Sequence, residues 1–310
     1  MNINISNSIS ENRTFIMGLS IISIMLFHLR FASIFPFSLF YNFGHFGVDM
    51  FFFLSGFGLV FSLKKNSSPK VFYTKRLKRL FYPIVFCGII KYILSYTLYP
   101  FNVSPRGIST IVGLDLWFFK PLICFYLVAP FAYFLLKRTS AAIISISTLF
   151  ICIALLILFP NNLNYIIEWS IARFPAFILG MSVAMGWTPK IIIRYGWILA
   201  VCAYIFGEYL VSKFPFASNQ HTFTILSFSL PSIAYYISIF IDKFREYVFY
   251  TSLTFCGLIS LEIYLWHEYI YTICDYTITN RYFGFIAAIS ASILIAYSCN
   301  KILKKILAFT

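Results

Sequence analysis

Four histidines are the side chains of this 310-residue chain best suited to moving a proton near neutral pH: His28, His45, His221 and His267. His28 sits in Met-Leu-Phe-His-Leu-Arg and His267 in Leu-Glu-Ile-Tyr-Leu-Trp-His-Glu, both largely apolar settings. His221 lies beside Asn219 and Gln220 and is given no role. His45 and Asp49 stand one helical turn apart at the start of Phe43–Gly58, an almost wholly apolar stretch. Ser55 and four glycines (Gly44, Gly47, Gly56, Gly58) in that stretch let neighbouring helices approach closely. Tight packing explains the glycines but not Asp49, and an ionisable residue inside an apolar span marks a functional site by default. For His28 and His267 the plainer reading is a packing histidine that donates to a neighbouring helix. Lys64 to Pro83 carries seven basic residues. They suit a phosphate-binding mouth, since Arg grips phosphate bidentately, or they serve topology alone.

These residues are embedded in a chain that is 60% hydrophobic, 21% aromatic and only 11% charged. A soluble domain carries about 25% charged residues, so the composition is that of an integral membrane protein. The polar start, Met1 to Asn12, has no basic segment and no small-residue cleavage site, so no cleaved signal peptide is expected. Seven cysteines are scattered singly, with no C-x-x-C pair, which implies neither a disulfide framework nor a zinc site. The net charge of +14 fits basic loops on an anionic cytoplasmic leaflet better than a nucleic-acid partner.

A span needs about 20 mainly apolar residues. Ten are expected, at 15–35, 44–63, 81–98, 114–136, 141–159, 171–187, 191–211, 223–241, 249–273 and 282–303. The fold class is therefore all-α, a polytopic membrane helix bundle, with residues 1–310 forming one domain and no internal repeat. Arg13, the basic run Lys64–Arg79, Lys137, Arg138, Lys190, Arg194, Lys243, Arg245, Lys301, Lys304 and Lys305 fall on one side. Arg30, Arg106, Lys213 and Arg281 fall on the other. The positive-inside rule then makes both termini cytoplasmic. Counted up from Thr14, His28 lies roughly 21 Å along span 1, in the outer half of the bilayer. His45, Asp49, Trp117, Lys120, Arg173, Glu262, His267 and Glu268 reach similar depth. Isolated charges there are costly, so they are expected to face one polar cavity. Arg173 and Glu168, five residues apart, could instead neutralise each other.

Six stretches stand out together. The most specific is Gly47-Val-Asp-Met-Phe-Phe-Phe-Leu-Ser-Gly-Phe57. Span 1 carries another, with Arg13 below and His28 above. Further ones are Arg76-Leu-Lys-Arg-Leu-Phe-Tyr-Pro83, Leu116-Trp-Phe-Phe119 followed by Tyr126 and Pro130, and Leu261-Glu-Ile-Tyr-Leu-Trp-His267. Arg173-Phe-Pro-Ala-Phe-Ile-Leu-Gly180 is weaker. In these stretches the chain resembles the acyltransferase-3 family of bacterial membrane O-acyltransferases. The chain departs from the family in span 1. The family arginine lies about three turns before the histidine, whereas here Met17 and Ser20 occupy that region and Arg13 is fifteen residues away.

The resemblance implies a ten-helix bundle in the bacterial inner membrane. It also implies transfer of an acyl group, usually acetyl, from cytoplasmic acetyl-CoA to a carbohydrate hydroxyl. The acceptor would be a surface polysaccharide or its lipid-linked precursor. On this reading His28 is the general base or briefly carries the acyl group, Asp49 or another nearby carboxylate orients the imidazole, and His267 stabilises the oxyanion or holds the sugar. Lys75, Arg76, Arg79 and Arg13 would hold the CoA phosphates. Trp117, Lys120, Arg173 and Glu262 would hold the sugar or stabilise the oxyanion. No metal is expected. Two other readings stay open: a different donor such as succinyl-CoA, with Lys91 or Lys120 as the extra cation, and a transporter of polysaccharide or lipid-linked sugar. Against the transporter, no inverted repeat with paired broken helices is evident.

Overall fold

The computed structural model describes residues 5–28, 43–66, 68–97, 111–112, 116–159, 164–213 and 224–308. All regular structure among them is helical. In chain order the helices are α1 (Ile5–His28), α2 (Phe43–Lys65), α3 (Pro69–Thr97), α4 (Phe119–Arg138), α5 (Ala141–Leu158) and α6 (Tyr165–Ala184). They continue with α7 (Lys190–Lys213), α8 (Leu230–Asp242), α9 (Val248–Leu258), α10 (Ser260–Thr277) and α11 (Arg281–Ala308). Seven are long and apolar enough to cross a membrane, eight if the bent pair α9–α10 is one span. The protein is a polytopic helical membrane protein. The two remaining expected spans fall on α3 and α7, so each of the ten has a helix. Residues 29–35 of the first expected span, 98 of the third, 114–115 of the fourth and 223 of the eighth lie outside the described residues, as do Arg30, Arg106 and His221.

The first helix begins at Ile5, ahead of the apolar span expected from 15. Two expectations need correcting. The basic segment before span 3 is not a loop. Asn66 Oδ1 accepts from the Ser68 N–H and Pro69 occupies the first helical position, where its missing N–H costs nothing. The helix therefore starts there and carries Lys75, Arg76 and Arg79 in its early turns. Span 9 is not one straight rod. Ile259, at φ −112° and ψ 19°, leaves the helical region, and α10 departs from α9 by 84°. Depth in α10 therefore cannot be counted along the axis of α9.

The chain divides into two compact, interleaved units: 1–16, 49–73 and 120–250, and 17–48, 74–119 and 251–310. In the first unit, α2 and α6 touch through glycines on both sides. A Cβ on Gly56 would lie 2.1 Å from the Phe177 carbonyl oxygen, and one on Gly180 1.9 Å from that of Phe53. Before this crossing, Asp49 meets Arg173; beyond it, Lys64 Nζ donates to the Ala184 carbonyl at 2.9 Å. The two helices thus run in the same direction, as strict alternation of spans 2 and 6 requires. Phe125 of α4 packs on Phe52, Phe174 and Phe177, closing the aromatic core of this crossing.

In the second unit, α1 is held on two sides. Gly18 lies so near α9 that a Cβ would sit 1.8 Å from the Leu253 carbonyl. Gly47 of α2 packs on the Ser20 carbonyl and Gly44 on the Phe27 ring. These approaches fix the end of α1 that bears His28.

Replacing Gly180 by Ala drives a methyl group into the Phe53 backbone, where no side chain can yield. It should cost about 1–3 kcal/mol, the scale of core overpacking. The expected outcome is a lowered thermal midpoint of the detergent-purified protein, which an unchanged midpoint would contradict.

Candidate active site

His28 and His267, expected at matched depth, meet directly. His28 ends the described part of α1, and His267 lies two turns into α10, fully buried. Nε2 of His267 is 3.1 Å from Nδ1 of His28. Nδ1 of His267 lies 2.8 Å from the Tyr264 carbonyl oxygen and 3.3 Å from that of Ile263. A carbonyl can only accept, so His267 Nδ1 carries the hydrogen and donates it. In the neutral ring Nε2 is then the acceptor, and His28 Nδ1–H donates to it. His28 is left with a lone pair on Nε2. On that side Glu268 Oε1 stands 3.3 Å away. The Tyr264 carbonyl sets the tautomer of His267, and the Nε2 of His28 faces a carboxylate that accepts from it and stabilises the ring once it takes a proton there.

The surroundings keep the pair in place. Tyr264, His267 and Tyr271 follow one another along a face of α10, with ring centroids 5.4 and 5.8 Å apart. Phe118 and Phe119, from the turn into α4 and its first residue, pack on Tyr264 at 5.0 and 5.6 Å. Trp117 stands next to Phe118, its ring 6.2 Å away. On the other side of His28, Phe27 stacks edge-on to it and lies 4.8 Å from the His45 ring. One exposed face of the pair is polar: the His28 side chain is 23% exposed and that of Glu268 49%.

Asp49 and Arg173 meet as well, in the other unit. Arg173 Nε lies 3.1 Å from Asp49 Oδ1, with side chains only 0% and 5% exposed. The guanidinium also lies over the Trp169 ring at 4.9 Å. Arg173 is thus bound into a buried ion pair between α2 and α6, and its carboxylate partner is Asp49. Glu262 accepts from Asn300 Nδ2 at 2.7 Å, tying α10 to α11, and Lys91 Nζ donates to the Leu265 carbonyl at 3.1 Å. Arg13 Nε donates to the Leu54 carbonyl, and its guanidinium occupies the space beside Gly58. Lys75 and Arg79 are exposed and Arg76 is half-buried. At positions i, i+1 and i+4 they share one broad face of α3. Lys120 is half-buried in the first turn of α4.

Glu268 is the site residue that sequence reasoning read as polar without assigning it a role. The signal was present: it directly follows His267. Adjacent residues on a helix point about 100° apart, however, so only the position of His28 brings both to one place.

Residues 16–301 match the family model described as an acyltransferase domain (Acyl_transf_3). No curated protein and no solved structure matches the chain.

Removing one member of a buried ion pair strands the other, at a typical cost of about 3–5 kcal/mol. Asp49→Asn and Arg173→Met should each lower the thermal midpoint strongly. The double variant should lose much less than the two losses added, as coupled neighbours do. Strict additivity would show that the pair is not coupled.

Proposed function

The chain belongs to the acyltransferase-3 family, and on that premise we propose that it moves an acetyl group from acetyl-CoA to a hydroxyl of a cell-surface polysaccharide or its lipid-linked precursor. The observation that carries the chemistry is the His267–His28–Glu268 chain of contacts. His28 Nε2 takes the proton of the sugar hydroxyl while its oxygen attacks the thioester carbonyl. An ester C–O bond forms, the C–S bond breaks, and the proton on Nε2 passes to the departing CoA thiolate. While the proton is on His28 the ring is cationic. His267 accepts from its Nδ1–H, and the Glu268 carboxylate offsets the charge at Nε2. A backbone carbonyl holding the tautomer of the outer ring does for His267 what a carboxylate does for the histidine of a hydrolase triad.

An acetyl group carries no charge and asks for no cation of its own. Of the two candidates for holding a second carboxylate, Lys91 already donates to the Leu265 carbonyl, while Lys120 stands half-buried in the first turn of α4. The basic face of α3 supports donor binding: Lys75, Arg76 and Arg79 present closely spaced cations to which the CoA phosphates can dock. Basic residues cluster on the side assigned to the cytoplasm, where acetyl-CoA is made, which supports a bacterial inner-membrane location.

His28→Ala should lower transfer by about 10²–10⁴-fold, the range for a general base. Glu268→Gln should lower it by less, with the acceptor KM little changed. The check is the ester signal in proton NMR of surface polysaccharide, before and after mild base, from cells producing each variant at equal level. Ester content that is the same with the native chain, with His28→Ala and without the gene would refute the proposal.

A further inference from the structure

The same three side chains have the composition of a transition-metal site. One donor atom from each of His28, His267 and Glu268 can be chosen so that all lie within 4.8 Å of one another. Two imidazoles and a carboxylate are the ligand set of a three-residue zinc site with open positions for water. Two further observations bear on the fit. The first is spacing. His28 Nδ1 and His267 Nε2 are 3.1 Å apart, close to what two nitrogens on one zinc ion at about 2.0–2.1 Å require. Glu268 stands 3.3 Å from Nε2 of His28, on a half-exposed side chain, and completes the set by turning from that atom toward the ion. The second is the outer partner. A metal-bound histidine almost always donates its other ring N–H to a carbonyl or carboxylate, and His267 Nδ1–H already does so, to Tyr264.

The geometry points to His28, His267 and Glu268 as a binding site for one divalent transition-metal ion, zinc above all, whose occupancy shuts off the base. The ion takes the place of the hydrogen between the two rings. That hydrogen moves from Nδ1 of His28 to Nε2, so both rings stay neutral and no redox partner is needed. With Nε2 protonated and Nδ1 on the metal, His28 has no lone pair to receive the hydroxyl proton. Metal and proton transfer therefore compete for one imidazole. The inhibitory half of this inference rests on the proposed acyl transfer, and the binding half does not.

The chain has no closely spaced pair of cysteines and histidines because the ligands come from α1 and α10, with His28 and His267 separated by 239 positions. Only the fold makes the set visible.

The test uses the full chain purified in detergent and stripped with a chelator. Zinc chloride alone is titrated against a competing chromophoric chelator, and Co²⁺ is added separately to read its visible d–d bands. One zinc per chain is expected, with that site lost in His28→Ala and weakened by about 10–100-fold or more in Glu268→Gln, the scale on which even outer partners act. Both variants are checked for an unchanged elution profile and thermal midpoint. Zinc at saturating level should abolish acyl transfer by the native protein, and a chelator should restore it. Native protein that binds no more zinc than His28→Ala overturns the site, even if it is an active transferase. Stoichiometric binding with transfer that continues at saturation overturns the inhibition. Binding by a protein that never esterifies any polymer would leave the site standing and defeat the acyltransferase reading instead.

Discussion

Inside a hydrocarbon layer no water waits for an unpaired polar group, so every such group must find its partner within the protein. Several of the deepest contacts here answer to that constraint. Arg173 and Asp49 neutralise each other. Glu262 takes a hydrogen from Asn300, and Lys91 gives one to a backbone carbonyl of α10. Buried Ser238 and Ser292 return their hydroxyls to carbonyls four residues back. The histidine pair obeys the same rule with a different result. His267 spends its donor on Tyr264 and its lone pair on His28, and His28 spends only its donor. Of the two rings, the atom left with capacity is the Nε2 of His28, and a carboxylate stands beside it.

The glycines make these pairings possible by letting backbones touch. Gly56 and Gly180 bring α2 against α6, and Gly18 and Gly47 bring α9 and α2 against α1. Side-chain bulk at Gly56 or Gly180 would push apart two helices whose ion pair meets over about 3 Å. Small residues here are thus an electrostatic requirement as well as a packing one.

Much of this was legible in the chain. Each of the ten expected stretches carries a helix, and among the described residues seven or eight pass as spans on length and hydropathy, a strong and local signal over about 20 residues. Two histidines in apolar settings stood out because an unpaired imidazole there is expensive. Partner choice was not legible. The structure pairs Asp49 with Arg173, two residues that the sequence places at similar depth but does not link. Nothing local distinguishes Glu168, five residues from Arg173, from Asp49 on a distant helix, because only the crossing of α2 and α6 does so. The 84° bend at Ile259 was equally hidden, since no proline marks it and the apolar run continues through it. The helical start of α3 was missed because its charge masked a capped beginning at Pro69.

The Asp49–Arg173 pair also has a consequence for how the protein is made. Ribosomes deliver about 5–20 residues per second, and Arg173 follows Asp49 by about 120 residues. The second helix therefore reaches the membrane on the order of ten seconds before its counter-ion exists. During that wait the carboxyl group must travel protonated or remain shielded within the insertion machinery. The helix becomes a settled resident of the bilayer only when α6 arrives beside it.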